Sequence, residues 1–267
     1  MRLSLTISTL LSAVSAFSRK VPAQEILQTN DAAPTFDEPV AQDIPTIHES
    51  AVMARRIAEL AAHGDLVTTF PTHSSSYIAR NDFGAEALPS GLESSPIGMI
   101  EYLANCESGT GNPTMLAIDI ATPYRNYQAG SNISLSIRWW PAEKNFYAAS
   151  WWSKITGKAK RQDIPTPHTP AALPRISLHG RLERIPNRGL DGFYLAQCFV
   201  RKHPDSVYWQ PNAPGAAHES HYVRFVVEQV YWFGGFGDRA RIGWLPIEEW
   251  HSVTQREIDE CRLPGEE

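Results

Sequence analysis

The chain has 267 residues, 42% hydrophobic and 20% charged, enough apolar material to bury a core in one large domain or two small ones. Its formal net charge is -5, and no run of Lys and Arg interrupts the acidic balance, which excludes a concentrated positive surface for nucleic acid or an anionic membrane. No apolar stretch reaches the roughly 18 residues that a membrane-spanning helix needs.

In chain order, the opening MRLSLTISTLLSAVSAF places Arg2 before an apolar run from Leu3 to Leu11 and a small-residue site at Val14, Ser15 and Ala16. That is the pattern of a secretory signal over residues 1–16. Residues 17–45 are polar, punctuated by proline and without period, and read as a flexible linker. A domain is expected over 46–256, followed by a C-terminal tail at 257–267. Thr46 and Glu49 have capping-box spacing and open a helix. In it Met53, Ile57, Leu60 and Ala61 share a face, Arg55, Arg56 and Glu59 lie away from it, and Gly64 supplies a left-handed stop.

Strands follow. DLVTTF (65–70), SSYIA (75–79), IGMIEYLA (97–104) and TMLAIDIA (114–121) are short runs separated by turn residues. In NISLSIRW the residues Ile133, Leu135, Ile137 and Trp139 alternate with Ser134, Ser136 and Arg138, which predicts one buried face. RISLHGRLERI repeats the device with Ile176, Leu178, Gly180 and Leu182. Leu190, Tyr194, Leu195, Cys198 and Phe199 then take helical spacing up to a stop at Pro204, and HYVRFVVEQVYWF returns to strand. Proline-rich loops at 141–174 and 204–220 are too long for hairpin turns. Gly235, Gly237 and Ala240 match a G-x-G-x-x-A dinucleotide fingerprint, but Gly243 and Pro246 would break the helix such a turn requires. RARIGWL therefore reads as another strand, with Pro246 opening a short helix whose first turn holds Glu248 and Glu249. The fold class is mainly β: six or more mostly antiparallel strands with flanking helices, in a sheet expected to close into a barrel because closure removes unpaired edges.

Chemistry is sparse. Cys106, Cys198 and Cys261 allow at most one intramolecular bridge, with the pairing open, and Cys198 on an apolar helix face reads as a buried thiol rather than a nucleophile. Asn132-Ile-Ser134 is a glycosylation sequon, whereas Asn112-Pro113-Thr114 is blocked by its proline. His218 and His221 are three apart but lack the third rigid ligand of a zinc site, so no metal is expected. Trp139, Trp140, Trp151 and Trp152 are read as packing or dimer contacts rather than a ligand groove.

Several stretches together resemble the CREG family, secreted glycoproteins on the flavin-binding split barrel of pyridoxamine phosphate oxidases. They are MARRIAELAAHGDLVTTF, ATPYRNYQAGSNISLSI, PRISLHGRLERI, GFYLAQCFVRKHPDSVYW and the bend YWFGGFG before PIEEW, spanning about residues 50–253. The loop at 141–174 departs from the family. In flavin-using relatives, the stretch similar to TPYRNYQAGSN carries a phosphate-binding lysine where this chain has Pro123. Tyr124, Arg125 and Asn126 are the residues there that a cofactor would meet, with Tyr124 and Arg125 expected on opposite faces of a strand; Arg175, Arg181 and Arg184 read as solvated charge. The resemblance implies a homodimer without cofactor or catalytic activity. It would act through a macromolecular partner or receptor, outside the cell or in a lysosome- or vacuole-like compartment. An FMN-dependent oxidoreductase is the first alternative; a haem-binding protein with His179 or His221 as ligand is the second.

Overall fold

The computed structural model describes residues 44–72, 88–141, 170–236 and 240–266. The signal, nearly all of the linker, the strand expected at 75–79, and Trp151 and Trp152 lie outside the described residues.

Helix α1 (Ile47–Leu60) starts at the expected capping box: the Thr46 hydroxyl accepts from the Glu49 amide, and the Glu49 carboxylate accepts from the Thr46 amide. Its buried face is only partly the expected one, with Ile57 common to both. Ala51, Ala54, Arg55 and Ile57 turn inward, while Met53 and Leu60 are only partly covered. The alanines let the helix backbone approach the sheet, and the Arg55 guanidinium donates to the carbonyls of Trp250 (2.8 Å) and Gly109 (3.2 Å), which makes burial of the charge tolerable. Gly64 is not the helix stop. It lies inside β1 (His63–Thr69), where an added Cβ would come within 2.9 Å of Leu103 and 3.0 Å of Leu135.

Beyond β1 come β2 (Pro96–Tyr102), β3 (Thr114–Ile118), α2 (Thr122–Gln128) and β4 (Ile133–Arg138). After a 3-10 turn at Pro170–Ala172 the chain continues as β5 (Arg175–Arg184), α3 (Gly189–Lys202), a 3-10 turn at Pro204–Trp209 and β6 (Ser220–Phe233). It finishes as β7 (Ile242–Leu245), α4 (Ile247–Ser252) and α5 (Gln255–Glu260). Pro246 caps α4 from just outside it, one residue earlier than expected.

Among the described residues the seven strands form one sheet in the order β2-β1-β4-β5-β6-β3, with β7 also paired to β6, and each of these pairings is antiparallel. The two end strands do not pair along their length. They are joined by one bridge just past β2, where the Ala104 and Thr114 amides each donate to the other's carbonyl at 3.0 and 2.8 Å. A barrel with one such seam is split rather than closed.

Ile133, Leu135 and Ile137 on β4 and Ile176 and Leu178 on β5 face inward as the alternation predicts, joined by Leu66 on β1 and by Phe225, Val230 and Trp232 on β6. A smaller cluster of Leu116, Ile185, Leu195, Phe199 and Tyr222 sits beneath α3. The C-terminal tail packs as well, adding Ile258 and Leu263 to the core, with Glu266 paired to Arg56.

Candidate functional site

The stretch Pro123–Asn126 is helical, not extended, so the expected alternation of Tyr124 and Arg125 across a strand is overturned. Pro123 sits in the first turn, where its missing N–H costs nothing. Tyr124 and Asn126 both point into the barrel at 3% and 0% exposure. The Tyr124 hydroxyl donates to Glu101 Oε2 at 3.1 Å, and Asn126 Nδ2 donates to Thr68 Oγ1 at 3.1 Å. Tyr127 adds a third tie, its hydroxyl accepting from the Leu182 amide at 3.1 Å. Through these contacts α2 is fastened to β2, β1 and β5 in turn.

The Tyr124 hydroxyl proton and one Asn126 N–H are therefore engaged within the fold. The polar atom left over is Asn126 Oδ1, which is buried without a hydrogen-bond partner and is an acceptor. An acceptor repels phosphate, so Tyr124 and Asn126 do not fit a cradle for the phosphate of FMN. Arg125 is half-buried on the same helix. Of the other arginines considered, Arg181 pairs with Glu183 and Glu228, while Arg175 lies over the Phe233 ring at 3.7 Å.

Sequence reasoning did not single out Glu101. Burial raises its carboxyl from 4.5 to about 7, against the opposing hydrogen bond from Tyr124. Tyr124 is pushed well above the usual phenol value, first by burial and then by Glu101. The signal was present: a lone carboxylate in IGMIEYLA, on a strand otherwise without charge. The pair can hold a proton near neutrality but faces the barrel interior.

The histidines considered for haem are separated. His179, on β5, is 3.2 Å from Ser177 Oγ and beside the Trp244 ring, and burial lowers its pKa. His221, on β6, is paired with Asp119 at 2.8 Å. Among the described residues no three His, Cys, Asp or Glu side chains are grouped for a metal. Cys198 is not a thiol but is bonded to Cys106, leaving Cys261 as the free cysteine. Asn132 is exposed immediately before β4.

On the outer face of the sheet, pairing aligns Ile100, Asp65, Ser136, Ser177, Tyr231 and Trp244 in one row. Ile100 and Trp244 are 67% and 59% exposed at its two ends. A groove of about 330 Å³ beside Ile100 is lined by Asp65, Ser136, Arg138 and Trp140. Trp139 is directed away from it, its Nε1 donating to the Pro264 carbonyl at 2.7 Å. Among the described residues no helix is long and apolar enough to cross a membrane.

An all-antiparallel sheet rolled into a barrel, split along one seam and pinned by a short helix, defines a split β-barrel protein. The family model described as "CREG, beta-barrel" matches residues 45–252, and the chain belongs to that family. A search of curated proteins finds no match. Among solved structures, the chain is similar to a haem-binding protein from Mycobacterium smegmatis, with 18% identity, 78% of this chain and 61% of that one covered, and a TM-score of 0.47. It thus spans about three fifths of the mycobacterial protein. It is also similar to the haem storage protein of Vibrio cholerae (12% identity, 66% and 87% covered, TM-score 0.36). A third is a pyridoxamine 5'-phosphate oxidase-related FMN-binding protein from Nostoc punctiforme (8% identity, 68% and 78% covered, TM-score 0.35).

Proposed function

We propose that this protein is a secreted, non-enzymatic split-barrel glycoprotein that works by binding another macromolecule, as a homodimer and with a glycan on Asn132. The observation that carries this reading is the use of Tyr124 and Asn126 as internal fastenings beside Pro123, in the place where the family resemblance puts a phosphate-binding lysine. Without that cation, a flavin phosphate would be desolvated against a buried acceptor. The Cys106–Cys198 bond supports export, because such bonds persist in oxidising compartments. Exposed Asn132 supports glycosylation, and the apolar ends of the outer row, Ile100 and Trp244, suit a two-fold contact between barrels.

The test is expression of the full chain in a secreting eukaryotic cell. The protein is expected in the medium, colourless, and retaining no flavin after incubation with FMN and gel filtration. A glycosidase should shift its mobility, and Asn132→Gln should abolish that shift. Sedimentation should give a dimer that Trp244→Glu weakens. Flavin retained in stoichiometric amount would overturn the non-enzymatic reading, and a protein found in the cytosol without a glycan would overturn export.

A further inference from the structure

Helical spacing on α3 predicts that Leu190 and Tyr194 pack inward with Leu195 and Phe199. Only the second pair does so. Leu195 and Phe199 are buried, whereas Leu190, Phe193 and Tyr194 are 73%, 58% and 65% exposed. The following 3-10 turn adds Val207 and Tyr208, also exposed. An apolar rim of this size on a helix that already has its core contacts calls for a ligand or a partner.

Between α3 and the turn runs a groove of about 400 Å³, with Phe193 and Val207 among the side chains lining it and Tyr222, itself buried, also contributing. Four amide side chains reach it: Asn187, Gln197, Gln210 and Asn212. No acidic or basic side chain is among the described residues that line it. Its form is set by the backbone. Gly192 lets Asn187 press against α3, since a Cβ there would come 2.2 Å from the Asn187 carbonyl carbon. Gln210 is held in place, Nε2 donating to Ser206 Oγ at 3.1 Å and Oε1 accepting from the Tyr222 hydroxyl. Asn212 has a φ of +63°, the left-handed conformation that asparagine tolerates better than most residues.

This lining selects a chemistry. A phosphate or carboxylate ligand would find no cation. A purely apolar ligand would strip water from the amides of Asn187, Gln197 and Asn212 without replacing its hydrogen bonds. A peptide added as a strand needs a free sheet edge, and these walls are a helix and a 3-10 turn. Amides both donate and accept, as sugar hydroxyls do, and ring faces such as that of Phe193 pack against the C–H faces of a sugar. The volume lies at the small end of the range for ligand sites, about 300–1,000 Å³, which suits a short chain of sugar rings.

We propose that the groove between α3 and the 3-10 turn binds a neutral oligosaccharide. None of the described residues lining it is on α2 or among those considered for a flavin, so it does not depend on whether the barrel holds one.

The test is calorimetric titration of the full-length secreted protein with chitotriose, mannotriose and cellotriose. At least one should bind saturably. Phe193→Ala and Gln197→Ala, both at exposed positions, should each weaken it at least about ten-fold without lowering the melting temperature. Asn212→Gly keeps the left-handed backbone and removes only the amide, so it should weaken binding even if Phe193→Ala fails to fold. Three results would overturn the assignment: no saturable binding of any probe up to about 10 mM, binding undiminished in all three variants, or equal affinity for 6-phosphomannose. A lower sedimenting mass for Phe193→Ala than for the wild type would also do so, by showing that a second copy covers the groove.

Discussion

Glu101 is held where water cannot fully stabilise its charge, opposite Gly64 on β1 and hydrogen-bonded by the Tyr124 hydroxyl. A carboxyl raised from 4.5 to about 7 keeps a proton in the folded state that the unfolded chain releases. Its contribution to stability is therefore complete below pH 4.5 and lost as pH rises toward 7. Glu101→Gln should flatten that part of the pH dependence and raise stability at pH 8, by no more than about 3 kcal/mol. Urea unfolding of the two proteins at pH 5 and pH 8 measures it; parallel pH profiles would show that the carboxyl does not titrate in this window. His48 works in the same direction. It bridges Glu257 and Glu249 at 2.8 Å each, and these hydrogen bonds, Glu257 first, raise its pKa above 6.5. That clamp between α1 and the last two helices is fully formed below pH 6.5 and weakens as pH rises through the folded value.

Among the elements, β5 and β6 carry the most demanding fit. Their register shifts between His179 and Gly180, and a Cβ on Gly180 would lie 1.9 Å from the Val226 carbonyl oxygen. Gly180→Ala must push two paired strands apart and should cost about 3 kcal/mol, a fall of several degrees in melting temperature. An unchanged melting temperature would mean that the bulge relaxes freely. The strands β4, β5 and β6 were legible in the sequence because each buries one face, and that necessity writes alternation into neighbouring residues. The capping box of α1 was legible for the same reason: cause and consequence lie three positions apart. What escaped depends on distant partners. Arg55 is buried because carbonyls 54 and 195 positions away receive it, so its neighbours in sequence give no warning. α2 is helical because Tyr124, Asn126 and Tyr127 find partners on three separate strands, not because seven residues with little apolar period would choose that form. In the functional reading, the substitution of proline for lysine at 123 was visible, while the fate of Tyr124 and Asn126 required the barrel. The groove beside α3 was concealed because its aromatic rim has the spacing of an ordinary core face.

For the molecule as a whole, these charges define a pH window. Glu257 is lowered to about 2 by its hydrogen bond from His48 and then by those from Thr254, so its contribution is present above 4.5 and fades only as pH falls toward 2. Its pairing with His48 is one interaction and counts once. Glu101 and His48 favour the acid side, and Glu257 sets the lower limit. The melting temperature should therefore be highest near about pH 5 and decline toward pH 8. A maximum at pH 7 or above would contradict this, and an acidic optimum would suit a vacuole-like destination. The seam has a further consequence. Two amides close it, and Cys106 lies only two residues beyond one of them, tied covalently to α3 at Cys198, 92 positions later. Replacing both cysteines by serine should cost about 2–4 kcal/mol. The loss should not be spread evenly: by deuterium uptake, the amides of Ala104 and Thr114 should lose protection well before those of β4 and β5. The bond thus acts as a latch on the weakest joint, and a reducing environment would leave the barrel standing but able to swing open along that line.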